Sequence, residues 1–142
     1  MFSPNQADVR RFFCAAYRKH REQAPMDALE TLAAQWIQEH PEYHDLLADE
    51  ARALAHTGEQ DPHNPFLHLS MHLSVSEQCS IDQPPGIRGA VERLTQRRDD
   101  LHSAHHEVME CLGAMLWESQ RSGQAPDGQA YIDAVARLAT RH

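Results

Sequence analysis

Apolar residues recur at steps of three and four along almost every long segment of this chain. Val9, Phe12, Phe13, Ala16 and Tyr17 form one stripe, and Leu29, Leu32, Ala33, Trp36 and Ile37 a second. Tyr43, Leu46, Leu47, Ala51 and Leu54 form a third. Such steps match the 3.6-residue turn of an α-helix, so each stripe predicts a helix with one buried face. Ser3-Pro4-Asn5-Gln6 has the form of a capping box and predicts a first helix running to about Gln23. Pro25 opens a second, which ends at His40-Pro41 because the residue before a proline avoids the helical region. Pro41 begins or kinks into a third segment.

The polar run from His56 to Asn64 predicts a loop near 56–64. Asn64-Pro65 is a cap followed by a first-turn proline and predicts a helix from Phe66 to about Ile81. Asp82-Gln83-Pro84-Pro85-Gly86 breaks the chain near 82–86, after which Ile87, Ala90, Val91 and Leu94 mark a shorter amphipathic element. Asp99 and Asp100 suit the start of the longest helix, Leu101 to about Arg121, since aspartate caps free N–H groups and complements the helix dipole. Gly123 ends it, and Pro126-Asp127 opens a last helix with Tyr131, Ala134, Val135 and Leu138 inward. The expected fold is all-α: a compact bundle of about five to six helices in a single domain over residues 1–142.

Composition supports helix over strand, since Ala, Leu, Glu, Gln and Arg dominate while β-branched residues are few. The formal charge of −8 opposes binding to nucleic acid or to an anionic membrane, and no aromatic residues alternate with the arginines to stack bases. Arg10, Arg11, Arg18, Lys19 and Arg21 read as a solvated helix face. No run approaches the roughly 20 apolar residues of a membrane span, and MFSPNQADVRRFF has no apolar run before its first charges. A soluble, cytoplasmic protein is expected. Cys14, Cys79 and Cys111 are an odd number, far apart and without CxxC spacing, so neither a disulfide framework nor a zinc ribbon is encoded.

Histidine changes the picture, with 11 in 142 residues. On a helix His68 and His72, four apart, share one face. The stretch LHSAHHEVMECLG sets His102, His106 and Glu110 at successive spacings of four. Antiparallel pairing of the two helices would oppose two imidazoles to imidazole and carboxylate, as helical bundles do when they build internal metal sites. Such donors suit zinc, iron, manganese or nickel better than a soft thiolate site. His102 and Glu110 lie about 12 Å apart along a helix axis, too far to share one ion readily. His106, the middle rung, is therefore expected as a ligand with one of its neighbours, and the remaining rung orients a ligand or holds a second ion. Neither HExxH nor a pair of ExxH motifs is present, nor is a phosphate loop or a GxSxG elbow. The alternative is a non-catalytic interaction or adaptor module, in which the His/Glu ladders form a structural polar seam and Trp36 or Trp117 anchors a core or a groove. Both readings leave room for a protein partner or a homo-oligomer.

NPFLHLSMHL, Glu77-Gln78, QPPGIR from Gln83, HxxxHxxMECLGxxLWExQ from His102 and HPEYH from His40 together resemble a bacterial family known only as domain of unknown function 1841. The resemblance covers most of the chain. It implies histidines at the positions of His68, His72, His102 and His106, acids at those of Glu110 and Glu118, and a variable position at His105. It implies a small stand-alone protein and no particular reaction.

Overall fold

The computed structural model describes residues 6–55 and 64–140. Among the described residues the fold is all-α, with eight α-helices, one 3-10 turn and no strand. The capping box at Ser3 and the loop at 56–64, apart from Asn64, lie outside the described residues. Contacts divide the chain into two compact units, Met1–Leu73 and Ser74–His142, with the boundary inside one helix.

Unit 1 contains α1 (Gln6–Glu22), α2 (Ala28–Gln38), the 3-10 turn (Pro41–Tyr43), α3 (His44–Leu47), α4 (Glu50–Ala55) and the first half of α5 (Pro65–Ile81). Its core joins Phe13, Tyr17, Trp36, Ile37, Leu47 and Phe66. The first two apolar stripes therefore turn inward as their period requires, except Leu29 at the start of the second, which is exposed. The third does not behave as one helix, and this is one reason why the helix count exceeds the five to six expected. Asp49 accepts from the Arg52 N–H through its side chain and from the Ala53 N–H through its carbonyl, starting a new helix and shifting the phase. Ala53 is buried as a result, while Ala51, which the uninterrupted stripe placed inward, is exposed.

Two charged residues of this unit, Arg10 and Glu30, are buried. Arg10 is buried rather than solvated: its guanidinium donates to Ala53 O at 2.8 Å, near the end of α4, and lies over the Phe66 ring at 4.9 Å. Carbonyls at a helix C-terminus lack intrahelical donors and form the negative end of the dipole, so a cation is well placed there. Asp27 caps α2 with a full capping box, its side chain accepting from Glu30 N–H while the Glu30 carboxylate accepts from Asp27 N–H. The Lys19 ammonium donates to the same Glu30 at 2.6 Å, and this hydrogen bond, then that of Asp27, hold the Glu30 carboxyl below its usual range. Asp27→Ala is expected to cost about 1 kcal/mol of stability in urea unfolding. An unchanged midpoint would show that the box contributes nothing.

Unit 2 contains the second half of α5, α6 (Ile87–Arg98), α7 (Leu101–Ser122) and α8 (Gly128–Thr140), with α6, α7 and α8 packed on one another. Ile87, Leu94, Val108, Leu112, Tyr131 and Val135 are buried. The caps expected from sequence are in place: Asp100 accepts from the His102 and Ser103 N–H groups, Asp127 from Ala130 N–H, and Gly123 takes the left-handed φ of 75° that ends α7. Arg88 donates to the Cys79 and Ser80 carbonyls and closes the end of α5. No described helix is long and apolar enough to cross a membrane.

Candidate metal centre

Unit 1 gathers three imidazoles. His68 and His72 lie one turn apart on α5, and their Nε2 atoms are 3.1 Å from each other. The third ring comes from His40, whose Nε2 is 3.1 Å from that of His68. Pro41 explains its position. The residue before a proline leaves the helical region, and His40 does so with φ −130° and ψ 65°. Its ring then turns back on the end of α2, where Nδ1–H donates to Trp36 O at 2.7 Å. A carbonyl only accepts, so the proton of His40 is held on Nδ1 and its Nε2 carries the lone pair that faces His68. His44 uses the same helix end differently, its Nε2–H donating to Ile37 O at 2.9 Å.

Aromatic rings hold the imidazoles in place. Trp36 stacks on His72 with centroids 4.1 Å apart and planes at 18°, and Tyr43 lies parallel to His40 at 5.2 Å. His72 and His40 are buried, whereas His68 is half-buried. All three ligand nitrogens lie within 4.8 Å of one another.

A cation can meet all three lone pairs at once. The two 3.1 Å separations agree, since two nitrogens about 2.0–2.1 Å from one ion, at angles between octahedral and tetrahedral, are about 2.9–3.4 Å apart.

In unit 2 the α7 ladder places His102 and His106 with their Nε2 atoms 3.1 Å apart. His102 is half-buried and His106 exposed; their neighbour His105 occupies the buried face with Ala104, Val108, Met109 and Leu112. Burial, and secondarily the charges of His102 and His106, push the His105 pKa down to about 4. Glu110 lines a cleft of about 650 Å³ between α7 and α8, with Glu107, Cys111, Met115, Glu118 and Tyr131. Glu118 is paired with Arg121 at the same surface. Trp36 belongs to the core, while Trp117 is 62% exposed.

The cysteines are free thiols. Burial raises Cys14 and Cys79 to about 11 and also raises Cys111, so all three stay protonated and are poor nucleophiles. His40 is the residue that spacing alone does not pick out, because it stands alone beside a proline. Its signal is the aromatic-to-imidazole step Trp36–His40 at the end of an apolar stripe, followed by the HPEYH motif.

No curated protein and no solved structure matches the chain. The family described as a domain of unknown function, DUF1841, matches residues 5–137, nearly the whole sequence, and the chain belongs to that family.

Proposed function

We propose that this protein binds a first-row transition metal through imidazole. The carrying observation is the convergence of the His40, His68 and His72 Nε2 atoms, with the His40 tautomer set by Trp36 O. His102 and His106 offer two further donors at ligand-like spacing, and we assign them to metal binding as well. Glu110 is then the outer rung of that ladder. Neutral imidazole with few competing thiolates suits zinc, nickel, iron or manganese.

The test is metal analysis and calorimetric titration of protein purified without a histidine tag. Saturable binding of zinc or nickel at a whole-number stoichiometry is expected. Replacing both His102 and His106 by alanine should weaken it. No binding of any divalent metal by the folded protein would refute the reading.

A second reading has its own observation. Leu116 and Trp117 stand exposed side by side on α7, with Arg121 over the indole at 5.5 Å. An interaction module would use this surface for a protein partner, and the histidines would then be structural. Metal-free protein that stays folded and monodisperse, with no uptake on titration, would favour it.

A further inference from the structure

The donors gathered in unit 1 are all of one electrical kind. His40, His68 and His72 are neutral ligands, and no Asp, Glu or Cys among the described residues belongs to the group. A divalent ion held by these rings keeps its full double charge. It does so beside the indole of Trp36 and the ring of Tyr43, with two of its three ligands buried. Uncompensated charge in such surroundings is costly, and pairing with an opposite charge offsets the cost. Three imidazoles also leave at least one position on the ion open, as in catalytic rather than structural sites. Half-buried His68 supplies the side from which solvent reaches the centre.

We infer that the metal-loaded His40, His68 and His72 centre takes a small anion directly onto the ion, and that the natural ligand or substrate is a small oxyanion such as a carboxylate, bicarbonate or phosphate. This rests on the metal-binding reading above. It goes further by naming the chemical class the metal recruits.

The experiment uses the full chain loaded with Co²⁺, whose visible absorption reports its ligands. Absence of Co²⁺ uptake, seen before any anion is added, would defeat the metal reading itself. With Co²⁺ bound, azide is titrated at ionic strength held constant with weakly coordinating perchlorate, followed by acetate, bicarbonate and phosphate in separate runs. A saturable change in the cobalt bands with azide and with at least one oxyanion is expected. Bands that ignore every anion would overturn the inference, and a response to azide alone would overturn the oxyanion class. A second arm tests the charge argument through His68→Asp and His68→Glu, which put a carboxylate at the most accessible ligand position. Their cobalt centres should bind the same anions at least about tenfold more weakly, because one unit of the attracting charge is already neutralised. Unchanged anion affinity in a cobalt-loaded carboxylate variant would overturn it.

Discussion

His68→Ala is expected to lower metal affinity by at least about 100-fold while leaving stability within about 0.5 kcal/mol of wild type. The separation of the two effects follows from position. His68 is the middle nitrogen of the group, 3.1 Å from both His40 and His72, so its loss removes two of the polyhedron's short edges. It is also half-buried on a helix, where alanine is the best-tolerated residue. His72 differs because it is fully buried and stacked on Trp36. His72→Ala should lose metal and also about 2–4 kcal/mol of stability, from the vacated ring volume and the lost stacking. His72→Phe, which keeps a flat ring beside the indole, should recover much of the stability and none of the metal binding. Titration calorimetry with zinc and urea unfolding of the metal-free proteins measure the two properties independently. A His68→Ala protein that binds zinc as tightly as wild type would remove His68 from the centre.

These residues were not equally legible in the sequence. Helix ends that depend on local chemistry were readable, because Asn64, Asp100 and Asp127 each meet N–H groups two or three residues ahead. The His68–His72 and His102–His106 pairs were readable for the same reason, since a spacing of four fixes adjacency whatever the helix packs against. The segment after Pro41 was misread because Asp49 restarts the helix inside an apolar stripe, and a stripe does not reveal a change of phase. His40 lies 28 residues from His68, and their meeting depends on how the end of α2 packs against α5, which no periodicity encodes. For α7 the information was present: Ala104, Val108 and Leu112 define its buried face, and His105 falls on that face by the same count. On α7, then, the histidine in register with the apolar residues joins the core, and the pair a step off the stripe is left outside it.

That division leads to the pH response of the metal-free protein. His105 is 3% exposed, and burial, with the neighbouring His102 and His106, brings its pKa down to about 4. The unfolded chain holds the same imidazole near 6.5, so between about pH 6.5 and 4 the unfolded state binds a proton that the folded state refuses. Stability therefore rises with pH across this window. It is fully retained above about 6.5, falls as pH drops through the window and levels off below about 4. A difference of 2.5 pH units corresponds to a loss of about 3 kcal/mol over the whole range. His105→Leu, apolar and of similar bulk, should remove this contribution, so that the stability of the variant depends on pH with a slope lower by about one proton between pH 6 and 5. Its metal affinity should stay within about threefold of wild type, because the ring lies on the buried face of α7 and away from the His102–His106 pair. Urea unfolding at stepped pH, with metal removed by chelator, gives the slope, and zinc titration at neutral pH gives the affinity. Equal slopes for wild type and His105→Leu would mean that His105 is protonated in the fold. Loss of zinc binding in His105→Leu with an intact fold would mean that the ligand register of α7 is shifted by one residue from His106 to His105.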